Sequence, residues 1–137
     1  MSNSQLNVEI VTPDKTFTYE NVKSFFAPGN KGYFEVLKDH APYMVQLEIG
    51  KMEINDQNGS HVFAVSGGLC EVKNNTIRVI TNAAEDVDSI DLERAEAARQ
   101  RAEKRLSEKN AEIDVDRARI ALLRALNRIT IVEKYKK

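Results

Sequence analysis

Thr76-Ile77-Arg78-Val79-Ile80 and Ile90-Asp91-Leu92-Glu93-Arg94-Ala95-Glu96-Ala97-Ala98-Arg99 stand on either side of residues 81–89. In the first stretch, apolar residues alternate with polar ones, the period of a strand with one face inward. The second is built from Ala, Glu, Arg and Leu, all good helix formers. The hydrophobic period changes within a few residues, so two segments of different physics meet near residues 83–90.

The rest of the chain follows this division. All six glycines lie at or before Gly68, all three prolines at or before Pro42, and eight of nine aromatics at or before Phe63. Residues 1–90 hold 7 Lys+Arg against 12 Asp+Glu, and residues 91–137 hold 13 against 9, so a net −5 meets a net +4. The whole chain has 137 residues and a net charge of −1, which leaves no global basic footprint for nucleic acid. One cysteine makes neither an internal disulfide nor a zinc cluster. No apolar run approaches the roughly 20 residues of a membrane span. Met1 to Val8 lacks the basic start and apolar core of a secretory signal, so the expected compartment is cytosolic.

Upstream of the changeover the residues read as short strands. Leu6-Asn7-Val8-Glu9-Ile10 alternates, and Thr12-Pro13-Asp14-Lys15 is a turn. Val22–Phe26, Tyr33–Leu37 and Tyr43–Leu47 are further β-rich runs. Met52–Ile54 and Val62–Val65 flank Asn58-Gly59, while Leu69–Val72 and Ile77–Ile80 flank Asn74-Asn75; both are hairpin signals. Short strands at this spacing predict a sandwich or barrel.

Downstream, two helices are predicted. Asp88 or Ser89 suits the cap of the first, whose apolar stripe is Leu92, Ala95, Ala98, Ala102 and Leu106. Lys109-Asn110-Ala111-Glu112 breaks the pattern, and a second helix follows from about Asp114. Its residues Val115, Ala118, Leu122, Ala125, Ile129 and Val132 step by 3, 4, 3, 4 and 3, a heptad seam that Leu123 and Leu126 widen. The short connection predicts an antiparallel hairpin. An alanine-rich seam buries little area, so the hairpin is expected to need a docking partner: the sheet, another protein, or each in turn.

Candidate chemistry is sparse. His40 and His61 lie in different contexts and read as turn or surface residues. Cys70, in an apolar run, reads as a buried inert thiol. Ser66-Gly67-Gly68 lacks the spacing and lysine of a phosphate loop and reads as a strand junction. Asp86 and Asp88 read as solvated. The helices carry eight arginines. Arg94 and Arg101 share one face, Arg124 and Arg128 another, and in an antiparallel hairpin these four can converge on phosphate oxygens, with Asp91 accepting from a ribose or adenine. The plainer alternative is ordinary i, i+4 pairing with Glu93, Glu96 and Glu103, and pattern alone favours it.

Several ordered motifs then resemble one family. Val8-Glu9-Ile10-Val11-Thr12-Pro13-Asp14, Gly32-Tyr33-Phe34-Glu35-Val36-Leu37-Lys38-Asp39-His40-Ala41-Pro42, Ala64-Val65-Ser66-Gly67-Gly68-Leu69-Cys70-Glu71-Val72, Ile90-Asp91-Leu92-Glu93-Arg94-Ala95 and Ala125-Leu126-Asn127-Arg128-Ile129 resemble, in order, the segments of the epsilon subunit of bacterial F-type ATP synthases. One departure is Glu35, where many members have a second glycine. The resemblance implies an α+β fold: an N-terminal β-sandwich of about ten short strands, then a C-terminal antiparallel α-helical hairpin. The expected divisions are 1–84 for the sandwich, 85–90 for a linker and 91–137 for the hairpin.

It also implies a non-catalytic rotor subunit of the proton-translocating enzyme, peripheral to the cytoplasmic face of the bacterial plasma membrane. Its expected partners are the gamma subunit, the c-subunit ring and, in an inhibited state, the catalytic alpha and beta subunits. No cofactor is required. The family's ATP-binding pattern, ATP being a regulatory ligand of the folded hairpin in some members, falls here on Glu85, Asp91, Arg94, Arg101, Arg124 and Arg128. Arg117, Arg119 and Arg124 are the expected contacts to an acidic segment of beta. A free-standing nucleotide-sensing protein of the same architecture, and an adaptor whose hairpin zippers with a coiled coil, are the competing readings.

Overall fold

The computed structural model describes residues 5–108 and 114–136. The chain forms two compact units, residues 1–86 and 87–137.

The first unit holds eight strands among the described residues: β1 (Asn7–Val11), β2 (Thr16–Tyr19), β3 (Ser24–Gly29), β4 (Gly32–Val36), β5 (Tyr43–Asp56), β6 (Gly59–Lys73), β7 (Thr76–Ile80) and β8 (Ala84–Asp86). Two pairs of the expected runs are continuous, and two strands, β2 and β8, lie outside all of them. Tyr43–Leu47 and Met52–Ile54 both lie in β5; Val62–Val65 and Leu69–Val72 both lie in β6. The strand order is β2-β1-β7-β6-β5-β3-β4, with β8 paired to β6. All pairings are antiparallel except β1 with β7.

The long β5–β6 ribbon explains why these strands read as two runs each. Its register is unbroken from Tyr43↔Val72 to Asp56↔Gly59. Yet the residues that enter the core change parity along it: Val45, Leu47, Cys70 and Val72 in one half, Met52, Ile54, Phe63 and Val65 in the other. The ribbon therefore presents opposite faces to the core at its two ends, one to each layer of the sandwich. The reversal falls at Gly67 and Gly68, both at positive φ (89° and 128°), which only glycine adopts without strain. The same core takes in Val8 and Ile10 of β1, Phe25 of β3, Val36 of β4, and Ile77 and Val79 of β7.

Turn chemistry fixes the register. Asn74 and Asn75 both take positive φ (51° and 58°), the two-residue hairpin expected of them. In the β5–β6 turn only Gly59 does (117°); Asn58 instead donates its N–H to the Asp56 carboxylate at 2.8 Å. Buried Asn75 accepts from the Asp39 N–H at 2.6 Å, which ties the segment after β4 to this turn.

The second unit opens with a 3₁₀ turn, Val87–Ser89, followed by α1 (Leu92–Ser107) and α2 (Val115–Tyr135). The segment 85–90, expected as a linker, is ordered: Glu85 and Asp86 finish β8 and the 3₁₀ turn follows. Because that turn takes up Asp88 and Ser89, neither caps α1. Asp91 does, its Oδ1 accepting from the Arg94 N–H at 3.2 Å. Asp114 caps α2 in the same way, accepting from the Arg117 N–H at 3.0 Å. The expected break at residues 109–112 lies outside the described residues. The helices are antiparallel: α2 packs along α1, and Lys136 Nζ near the end of α2 donates to the Ile90 carbonyl at 2.8 Å, just before α1.

Candidate functional site

The hairpin seam is made of alanines. Ala95 and Ala102 of α1, and Ala118 and Ala125 of α2, are all buried, joined towards the end of α2 by Ile129, Ile131 and Val132. Leu123 and Leu126 do not widen this seam. They sit about 160° and 100° around the helix from Ala125, and with Ile120 they form a second apolar stripe exposed to solvent (Ile120 44%, Leu123 49%, Leu126 39%).

The seam also places the arginines. Arg94 and Arg101 each immediately precede a seam alanine of α1, and Arg117 and Arg124 do so on α2. Arg128 lies four residues beyond Arg124, on the same side of α2. In an antiparallel pair, positions that precede the seam on the two helices line one common edge. Arg94, Arg101, Arg117 and Arg124 therefore share an edge, with half-buried Arg128 beside it. Among the described residues, the first four make no side-chain ion pair. The i, i+4 alternative applies elsewhere: Arg99 bridges Glu96 at 2.9 Å and Glu103 at 3.4 Å, and Arg119 meets Asp116 at 3.6 Å.

The other expected site residues are distributed differently. Asp91 has one carboxylate oxygen committed to the cap of α1. Glu85 belongs to the sandwich unit, half-buried in β8 opposite Ala64. Arg119 faces away from the arginine edge, since it follows rather than precedes Ala118.

The sandwich carries an apolar face of its own. Leu69 of β6 is paired with Ile80 of β7, and Ile80 with Val11 of β1, so these residues form a row across three strands. Met44 of β5 is paired with Glu71 and lies diagonal to Leu69 on the same face, and Met44, Leu69 and Ile80 are all exposed. A row of charges runs alongside: Glu71 and Glu9 each pair with Arg78, whose Nε lies 3.6 Å from the Glu9 carboxylate. On the other side a groove of about 360 Å³ opens between Thr12-Pro13, Ser66–Gly68 and Thr81-Asn82.

Three groups expected to be passive are placed as follows. Cys70 is buried, and burial with the nearby Glu71 charge pushes its thiol up to about 12, so it is inert. His40 is a loop residue whose Nδ1 lies 2.6 Å from the Ala41 carbonyl. His61 is no simple surface residue: its Nε2 lies 3.1 Å from both oxygens of the nearly buried Asp56. The two-residue spacing of His61 from Gly59 was the available signal, since it returns the side chain to the turn. Among the described residues there is no cluster of three metal-ligating side chains, and no helix is long and apolar enough to cross a membrane.

Comparison with known proteins assigns both units. Residues 5–87 match the family described as ATP synthase, delta/epsilon chain, β-sandwich domain, and residues 88–133 match its long α-helix domain. The ATP synthase epsilon chain of Desulforamulus reducens is 46% identical over 92% of this chain and 96% of its own length. That of Nitratidesulfovibrio vulgaris is 41% identical over 92% and 94%. The fold is shared with a chain of the Euglena gracilis mitochondrial ATP synthase structure (TM-score 0.76, 21% identity, 90% of this chain and 78% of that one). The readings as a free-standing sensor or generic adaptor lapse: the chain belongs to the epsilon chains of ATP synthase, which are non-catalytic stalk subunits of that enzyme.

Proposed function

We propose that this epsilon chain couples gamma to the c-subunit ring through its sandwich and restrains ATP hydrolysis through a hairpin that leaves its folded state. The observation that carries this reading is the inequality of the two units. The sandwich owns a continuous core containing Phe25, Phe63, Leu6, Met52 and Ile54, whereas the hairpin buries alanines along most of its seam, with Ile129, Ile131 and Val132 only towards the end of α2, and keeps a second apolar stripe uncovered. A unit that buries little area on closing opens at little cost.

The exposed patch of Met44, Leu69 and Ile80, with its adjoining groove and neighbouring charges, fits gamma, since an apolar centre with a polar rim is the anatomy of a stable interface. The stripe of Ile120, Leu123 and Leu126, bordered by Arg119 and Arg124, fits the catalytic alpha and beta subunits in the inhibited state. The arginine edge suits ATP: Arg94, Arg101, Arg124 and Arg128 hold the phosphates, and Asp91 accepts from the base or ribose. Arg117, expected first as a contact to beta, joins that edge by its helical phase. ATP selects the folded hairpin by neutralising guanidiniums that repel one another. Assembly then places the chain peripherally at the cytoplasmic face of the bacterial plasma membrane.

The test compares reconstituted enzyme carrying the full chain with enzyme carrying residues 1–86. Hydrolysis should rise while synthesis is retained, and unchanged hydrolysis would remove the regulatory claim. In calorimetric titration of the isolated chain with ATP, Arg101→Ala should weaken binding at least tenfold. If millimolar ATP does not bind the unmodified chain, the sensor reading fails and the coupling role stands.

A further inference from the structure

Asn58-Gly59 is the one place in the sequence where an asparagine precedes a glycine. It lies at the tip of the β5–β6 ribbon, where Asp56↔Gly59 is the last pair, and both residues are exposed. The Asn58 carboxamide makes no hydrogen bond among the described residues. No atom stands within 4 Å of where a Cβ on Gly59 would be, so the main-chain nitrogen of Gly59 is unshielded on that side. The two main-chain N–H groups of the turn are held instead. Asn58 donates to Asp56 Oδ1 at 2.8 Å, and Gly59 donates to the same carboxylate.

We propose that Asn58 is a site of spontaneous covalent modification, converting to aspartate and isoaspartate, and that Asp56 is its brake. The Gly59 nitrogen gives up its proton to solvent base and attacks Asn58 Cγ. The bond from Cγ to Nδ2 breaks, and Nδ2 takes up a proton and leaves as ammonia. A five-membered imide remains, and water then opens it. Addition at Cγ restores the main chain and leaves aspartate. Addition at the main-chain carbonyl leaves the chain running through Cγ, which is isoaspartate. The step needs only water and base, with no change of oxidation state.

The brake follows from the hydrogen bonds. To close the ring, the Gly59 nitrogen must lose its proton and turn towards Cγ, so its bond to Asp56 has to break. The bonds from Asn58, His61 and Gly59 outweigh the burial of Asp56 and hold its carboxyl below the usual range. It is therefore charged at neutral and alkaline pH, where the reaction runs, and a negative charge beside the N–H opposes its deprotonation. Either product sets a second carboxyl beside Asp56. Isoaspartate also lengthens the main chain by one methylene, which the Asp56↔Gly59 pair cannot absorb unchanged. The hairpin arginines and the nucleotide take no part.

The experiment incubates the full chain at pH 8 and 37 °C and maps its peptides by mass spectrometry. Isoaspartate is identified by methyl transfer from S-adenosylmethionine with protein isoaspartate methyltransferase. Asn58 should gain one mass unit and become methyl-accepting, while Asn74 and Asn75, followed by Asn and Thr, stay intact. The chain unfolded in guanidinium chloride should convert about tenfold faster, because a hydrogen bond to a charged group holds the nucleophile only in the fold. Asp56→Ala should speed the folded chain by about the same factor. Asp56→Asn keeps an acceptor oxygen without the charge and should fall between. An Asn58 still intact in the folded chain after many half-lives of the unfolded one overturns the site. Asp56→Asn converting at the parent rate, or Asp56→Ala no faster than the parent, overturns the brake.

Discussion

Replacing Gly68 by alanine should destabilise the sandwich by about 2–4 kcal/mol, and more than the same change one residue earlier. At Gly68 the backbone holds φ at 128°, and an added Cβ would fall inside the envelope of the Ile80 carbonyl oxygen, 3.0 Å from Thr81 Cβ and 3.1 Å from Thr81 Cα. Neither neighbour is free to retreat. Ile80 is paired with both Leu69 and Val11, and the Thr81 N–H donates to the Val11 carbonyl at 3.0 Å. Backbone strain of this kind costs about 1–3 kcal/mol. Displacing Thr81 would also break its hydroxyl bond to the Gly67 carbonyl, 2.6 Å long, which adds about 1 kcal/mol. At Gly67 φ is also positive (89°), but the nearest atom to a new Cβ is the Leu47 carbonyl oxygen at 3.5 Å, an ordinary contact. Gly67→Ala should therefore cost the strain alone, about 1–2 kcal/mol. Urea titration followed by tyrosine fluorescence reads this difference, since three of the four tyrosines lie in the sandwich. With a slope of about 2 kcal/mol/M, Gly68→Ala should lower the midpoint by about 1–2 M. Equal midpoints for the two variants would refute the assignment of Gly68 to a close approach of β6 and β7.

Three further outcomes follow from the packing. Ala125→Leu should force the helices apart and destabilise the closed hairpin by about 1–3 kcal/mol, read as faster amide exchange along α1 and α2, whereas exposed Leu123→Ala should stay within about 0.5 kcal/mol of the parent. Asp56 is held below its ordinary range when folded, so its contribution to stability is complete above the usual carboxylate range and is lost as the pH falls through its folded value. Asp56→Asn should accordingly flatten the acid limb of the sandwich's melting curve below about pH 4, and an unchanged limb would show that other carboxylates set it. Cys70 should resist iodoacetamide in the native chain at pH 8 and react at the ordinary rate in urea, because burial raises its thiol to about 12.

Much of this architecture could be read locally. The change of period across residues 81–89 marks the two units because strand and helix bury residues at different spacings. Asn74-Asn75 predicts its own turn because few other residues accept positive φ twice running. What escaped a local reading was decided by distant partners. β2 is legible only in hindsight in the alternation of Thr16-Phe17-Thr18-Tyr19, a run too short to stand without its pairing to β1. β8, Ala84-Glu85-Asp86, has no β-branched residue, and its strand character comes entirely from β6. The parallel pairing of β1 with β7 joins strands some 65 residues apart in sequence, and no local pattern encodes it. The cap of α1 fell to Asp91 because a 3₁₀ turn consumed Asp88 and Ser89 first. At the candidate site the convergence of Arg94, Arg101, Arg124 and Arg128 was legible from an antiparallel hairpin, and the place of Arg117 on the same edge was not. Which edge they share depends on which residues form the seam, and the alanines settle that against the larger Leu123 and Leu126.

The alanine seam and the arginine edge make one energetic argument. Alanine at Ala95, Ala102, Ala118 and Ala125 allows close helix approach but removes little apolar area from water, so large apolar burial is confined to Ile129, Ile131 and Val132 towards the end of α2. The ion pairs of half-buried Arg99 and of exposed Arg119 add about 0–1 kcal/mol each. Against these gains, the like charges of Arg94, Arg101, Arg117 and Arg124 along the shared edge oppose closure. The proposed function requires such a hairpin to sit within a few kcal/mol of opening, the range in which one bound anion shifts the population. Moving an equilibrium from 1:99 to 99:1 takes a differential affinity of about 5.5 kcal/mol, and two or three charge-assisted contacts at about 1.5–3 kcal/mol each supply it. A leucine seam would close the hairpin beyond the reach of any such ligand. Under the proposed reading, the small residues at the interface are what make the arginines useful.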